Sequence, residues 1–213
     1  MEPTYVSAFP GIGTTRMYVG NDGNIYEASG GSRAWRNNNP GNLEDGKFAR
    51  NNGAIGTDGR FAIFPDTATG FNAMASLLAT NSYQKLTIEG AINRYAPPNE
   101  NNVENYLKSI ERQTGFPRST PMNSLSKDNL LNLAKAMAKH EGNMSGNKRL
   151  VPRSKLRCGP VTGAVENIGY ANEEDFYYPY LKNACQAGFG LCIGDGCPDE
   201  KLKFGIEAVE KIE

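Results

Sequence analysis

One histidine, His140, stands in a chain of 213 residues. That scarcity removes most imidazole-based mechanisms, since neither a Ser-His-Asp set nor a histidine-rich zinc centre can be built from it. Long apolar runs are missing as well: no stretch of about eighteen apolar residues exists, so no membrane-spanning helix is expected. The N-terminal stretch lacks a basic segment followed by an apolar one, and no Sec-type signal peptide is visible. A chain of this kind that leaves its cell is expected to be carried by other means. Net charge is absent too, with 23 basic against 23 acidic side chains, which argues against a broad nucleic-acid footprint. Neither a Walker loop nor a dinucleotide fingerprint occurs. No cofactor and no metal is expected.

Cysteine is lacking from the first 157 residues; Cys158, Cys185, Cys192 and Cys197 all follow. Their spacing contains no C-x-x-C pair, so a tetrahedral zinc site has little support. Two disulfides in an oxidising compartment are expected instead, with three pairings open. Charge divides at the same place. Residues 1–150 hold 16 basic and 13 acidic side chains, and residues 151–213 hold 7 and 10. A boundary near residue 150 follows, with a domain over 1–150 and a disulfide-stapled extension packed on it over 151–213. The segment GNMSGNKRLVPRSKLRCGP around the boundary reads as exposed loop.

What is present in the first 150 residues is ordered by period. TTRMYVGNDGNIYEA reads as two strands around a Gly-Asn-Asp-Gly turn, and AIGTDGRFAIF as a hairpin around Asp58-Gly59. From Asp66 the period turns helical. Phe71, Met74, Ala75 and Leu78 follow that capping aspartate, Ile88, Ile92 and Tyr95 follow Thr87 until Pro97-Pro98, and Val103, Leu107 and Ile110 run to Gly115. A fourth helix starts at Ser126, carries Leu130, Leu133, Ala134 and Met137, and stops at Gly142. Hairpins followed by a helical cluster define an α+β fold.

Two places are chemically unusual. AWRNNNPGNL sets Asn37, Asn38 and Asn39 before a turn, Asn39-Pro40-Gly41-Asn42, predicted to be type II with Gly41 at positive φ. One asparagine makes a turn; the others bring extra donors and acceptors, which suit a partner rich in hydroxyl and acetamido groups, unless they cap the local backbone. Glu141 extends the stripe of the fourth helix, so its carboxylate falls on the apolar face beside the helix C-terminus. Desolvation and the helix dipole both favour its protonated form there, as a general acid requires. The alternative is a helix-end glutamate bent out to water or paired with Lys139, Lys148 or Arg149. Among other carboxylates, Glu44 and Asp45 adjoin the asparagine loop, Glu27 ends a strand, Asp66 caps a helix, and Glu100 and Glu104 read as solvated. Trp35, Tyr95 and Tyr106 are candidate platforms for sugar rings, although tyrosines on helical stripes are commonly core.

RNNNPGNL, GAIGTDGRFAIFPDTATGFNAMASLL, TIEGAINRYAPPNENNVENYL and LAKAMAKHEG together resemble a domain of phage virion proteins and type VI secretion effectors in the lysozyme-like superfamily, over roughly residues 30 to 143. The stretch also resembles flagellar-type glucosaminidases, whose acid glutamate lies on a helix upstream of the asparagine loop. Nothing helical is expected before Asn37 here, and the helix-borne Glu-Gly stands downstream. The resemblance implies a lysozyme-like α+β fold and a muramidase acting on the β-1,4 link between N-acetylmuramic acid and N-acetylglucosamine in peptidoglycan. Glu141 would be the acid with Glu44 as partner, or Glu44 the acid itself. Asn37, Asn38, Asn39, Asn42, Trp35, Tyr95 and Tyr106 would contact the glycan. Delivery to a target periplasm or on a virion is implied, with an immunity protein, a secretion spike or virion components as partners. A lytic transglycosylase and a silent wall-binding or virion module remain the alternatives.

Overall fold

The structure is a computed structural model, and it describes residues 3–11, 13–96, 103–140 and 142–151. The four cysteines and Glu141 lie outside the described residues, as does all but Val151 of the expected extension.

The described chain is α+β. Strands β1 (Tyr5–Pro10), β2 (Arg16–Gly20) and β3 (Ile25–Ser29) are followed by helices α1 (Arg33–Arg36) and α2 (Lys47–Asn51). Next come the short strands β4 (Gly56–Thr57) and β5 (Ala62–Ile63). Five helices and a last strand complete it: α3 (Thr67–Leu78), α4 (Asn81–Gln84), α5 (Ile88–Tyr95), α6 (Val103–Thr114), α7 (Lys127–His140) and β6 (Asn147–Leu150). One sheet takes all six strands in the order β5-β4-β1-β2-β3-β6. Among the described residues only the β1–β4 pair is parallel.

Both expected hairpins form. The β2–β3 register pairs Tyr18 with Tyr26 and Arg16 with Ala28, and Gly23 at φ 74 closes the turn. Asp66 accepts from the Thr69 N–H at 2.7 Å, Thr87 Oγ1 from Gly90, and Ser126 Oγ from Asn129, so each expected cap starts its helix. Burying Met74, Leu78, Ile88, Ile92, Leu107, Ile110, Leu130, Leu133 and Met137 joins α3, α5, α6 and α7 in one helical core. At about 1.5–3 kcal/mol for each fully buried large aliphatic side chain, this core is the main stabilising element of the helical layer.

Three elements depart from expectation. β1 pairs with β2 in front of the first expected strand. β6 arises in the segment read as loop, where polar Asn147–Leu150 pairs antiparallel with β3 and returns the chain to the N-terminal sheet. α1 directly precedes Asn37, with Ser32 Oγ accepting from the Trp35 N–H, so a helical turn does stand upstream of the asparagines. It carries no carboxylate: its sequence is RAWR.

Two smaller clusters connect the layers. Ala8, Tyr18, Ala28 and Ile63 pack with Trp35 on one face of the sheet. Leu43, Ala49, Ala62, Phe64 and Ala73 tie the asparagine loop and the β5 end to α3.

Candidate functional site

The asparagine loop lies where these clusters meet, and its side chains point into the protein. Asn37 and Asn39 are fully buried and Asn38 nearly so. Asn37 Oδ1 accepts from Arg16 Nε at 2.7 Å, and its Nδ2 donates to Asp58 at 3.0 Å. Asn38, at φ 49, donates Nδ2 to the carbonyls of Phe64 and Pro65, both at 3.0 Å. Asn39 donates to the carbonyls of Leu43 and Ala62 and accepts from the Leu43 N–H, all at 2.9 Å. A buried amide without partners would cost about 1–3 kcal/mol, so every amide is matched to a backbone or ionic group. Three consecutive amides thus fasten the β2 start, the chain following β5, and the 43–62 bridge. These amides are spent on the fold, as the backbone-capping alternative expects.

The turn itself differs from the predicted type. Asn42 N–H donates to Asn39 O at 3.0 Å, but the positive φ falls on Asn42, at 44°, and not on Gly41. Space at 41 is tight: a Cβ would stand 2.9 Å from Tyr95 Oη and 3.0 Å from Met74 Cγ and Sδ, so these side chains would have to shift. Tyr95 donates its hydroxyl to the Gly41 carbonyl, which makes it a strut for the loop. Tyr106 is fully buried, stacked on His140 at 4.0 Å, with its hydroxyl directed to Met137 O at 3.4 Å. It has no face for a sugar ring. Trp35, half-buried, packs on the sheet cluster and lies against Gly146.

An ionic centre that sequence reasoning passed over lies below the loop. Asp58, with a side chain only 5% exposed, accepts from Arg16 at 2.7 Å, from Asn37, and from the backbone N–H groups of Arg60 and Phe61 at 3.1 and 2.8 Å. Burial pushes this carboxyl up, but the Phe61 N–H, the Asn37 amide, the Arg60 N–H and Arg16 together outweigh it and hold the pKa at about 2. Arg16 also donates to the carbonyls of Thr14 and Thr15. Asp58 is therefore an anchor, always ionised near neutral pH. The only sequence signal for it was an aspartate-glycine turn, which explains its two backbone bonds and says nothing of Arg16.

Above this anchor the surface is charged. Glu44 pairs in a β-bridge with Phe61, and its carboxylate, 66% exposed, meets Arg60 Nε at 3.1 Å. Arg33 of α1 and Arg60 both lie over the Phe61 ring, with guanidinium carbons 4.8 and 4.9 Å from its centroid. Asp45 is taken by Arg50 at 2.9 Å. Glu27 is buried on β3 and bonded to Arg149 of β6 at 2.9 Å. Glu104 and Glu111 share Arg118, whose hydrogen bonds lower both carboxyls. On the other side of α1, Ser32 meets Asn143 and the Met144 carbonyl, so the chain that follows α7 runs against the start of α1. No group of metal-ligating side chains occurs among the described residues.

No protein-family model matches the chain. Over 98 residues it is 36% identical to Protein P5 of Pseudoalteromonas phage PM2. The match covers 43% of this chain and 61% of that protein, so the chain spans less than two thirds of the curated relative. The chain is thus similar to a phage protein, and among the described residues no helix is long and apolar enough to cross a membrane.

Proposed function

We propose that the chain is a peptidoglycan glycan-strand hydrolase of the lysozyme-like type, carried on a virion or delivered to a periplasm. The observation that carries this proposal is a convergence on α1. Glu44 reaches it through Arg60, Phe61 and Arg33, and the segment just after Glu141 reaches it through Asn143 and Ser32. Glycosidic cleavage requires two carboxylates, one to protonate the leaving oxygen and one to activate water. Glu141 takes the acid role, because Glu44 lies in solvent and lacks the dry surroundings an acid catalyst needs. Glu44 takes the role of base. Similarity to a phage protein agrees with carriage on a virion, and the resemblance to lysozyme-like domains names the bond.

A second proposal, a silent wall-binding or virion module, is favoured by a specific observation. The amides of Asn37–Asn39 are consumed within the fold, and Glu44 is held by a surface ion pair. Purified sacculi incubated with wild type, Glu141→Gln and Glu44→Gln separate the two. Hydrolysis releases muropeptides with reducing ends, transglycosylation releases anhydro ends, and a binding module releases neither. Loss of an acid or base is expected to lower release by about 10²- to 10⁴-fold. Full release by both variants would overturn the assignment of both carboxylates.

A further inference from the structure

Four guanidinium groups gather around α1, those of Arg16, Arg33, Arg36 and Arg60, against two carboxylates, Asp58 and Glu44. In a chain of zero net charge this is a local cationic excess. Its distribution is uneven. Arg16 satisfies Asp58 at 2.7 Å, whereas Arg33 stands 3.8 Å from the same oxygen with its side chain 54% exposed. Arg36 is buried, bonded to the Gly30 and Gly31 carbonyls, and its Nε has no partner among the described residues. It adds positive charge without adding a surface contact. Arg60 is 73% exposed, and its partner Glu44 is nearly as wet, so that ion pair is weak and open to exchange.

Phe61 contacts both exposed guanidiniums. Both lie over one ring, so they are no farther apart than the sum of their distances to its centroid. A cation held against an aromatic keeps its N–H edges free for an anion, and a planar guanidinium suits a carboxylate. We propose that Arg33, Phe61 and Arg60 form a carboxylate-binding subsite that grips the free carboxylates of the wall polymer's stem peptides. The proposal rests on the wall-directed function above, and it supplies the contact that the buried asparagines cannot make.

Arg33→Gln/Arg60→Gln removes both charges from exposed positions and leaves the Arg16–Asp58 anchor in place. Binding is measured by sedimentation with two kinds of sacculi: native, and carbodiimide-amidated to block carboxylates. The double variant is expected to bind native sacculi about tenfold more weakly, the scale of one charge-assisted contact, and Arg33→Lys/Arg60→Lys to recover part of the loss. On amidated sacculi wild type and variant are expected to be equal. Equal binding of wild type and variant to native sacculi would overturn the subsite, as would a difference that persists on amidated sacculi. Binding of the wild type to duplex DNA as tight as to sacculi, and lost in the same variant, would overturn it in favour of a nucleic acid. Muropeptide release is recorded in parallel. Arginine-dependent binding without release sinks the hydrolase and keeps the subsite, whereas release with unchanged binding does the reverse.

Discussion

Replacing Asn39 by alanine decides whether the asparagine row serves the fold or a ligand. The amide makes three hydrogen bonds of 2.9 Å in a fully buried position. Its two donor bonds contribute about 1 kcal/mol each, and the Leu43 N–H, left in the interior without its acceptor, adds about 1–3 kcal/mol. A loss of about 3–5 kcal/mol follows. With a urea slope near 2 kcal/mol per molar, the unfolding midpoint falls by about 1.5–2.5 M. Asn39→Asp is expected to be worse, because a carboxylate oxygen would then face the Leu43 and Ala62 carbonyls. Asn42→Gly is the contrast: at φ 44 glycine is at ease, and the midpoint should move by no more than a few tenths of a molar. Equilibrium unfolding and sacculus binding are measured on the same preparations. If Asn39→Ala keeps the wild-type midpoint and loses wall binding, the amide belongs to a ligand and the reasoning from its buried bonds is refuted.

Gly70→Ala should be among the most damaging single substitutions, since its Cβ would stand 2.0 Å from the Asn38 carbonyl, and only a shift of α3 relieves that. Gly41→Ala meets softer neighbours at 2.9–3.0 Å and is expected to cost about 1–3 kcal/mol, so thermal melting should rank it well above Gly70→Ala in stability. Acid should weaken the Asp58 anchor. Its folded pKa, about 2, lies below the ordinary 3.8, so its stabilisation is complete above pH 4 and is lost as pH falls toward 2. Allowing for solvent near the turn, this amounts to about 1–2 kcal/mol. Asp58→Asn should flatten that part of the stability–pH curve, and an unchanged acid limb would rule the anchor out.

The helical layer was legible because its signals are local. Asp66, Thr87 and Ser126 each cap from within a few residues of the apolar stripe they start, and those stripes became the core. β1 and β6 were not legible. Asn147–Leu150 is polar and exposed, and its partner β3 lies more than a hundred residues away, so no periodicity marks it as strand. The asparagines teach a similar lesson. Their hydrogen-bonding capacity is plain from composition, but its direction depends on carbonyls at 43, 62, 64 and 65 that only the folded chain brings near. Phe61, Arg33 and Arg60 escaped notice for the same reason: 27 positions separate the two arginines, and one aromatic ring unites them.

The late return of β6 has a consequence for biosynthesis. Until Asn147–Leu150 has emerged from the ribosome, β3 presents a free edge, with Ile25, Glu27 and Ser29 offering backbone groups to any passing strand. The N-terminal hairpins are thus ready early but stay adhesive through translation of the whole helical layer, a window in which nascent copies on one message can pair with each other. Expression trouble is accordingly expected in chains cut short between α7 and β6, even where every helix is intact.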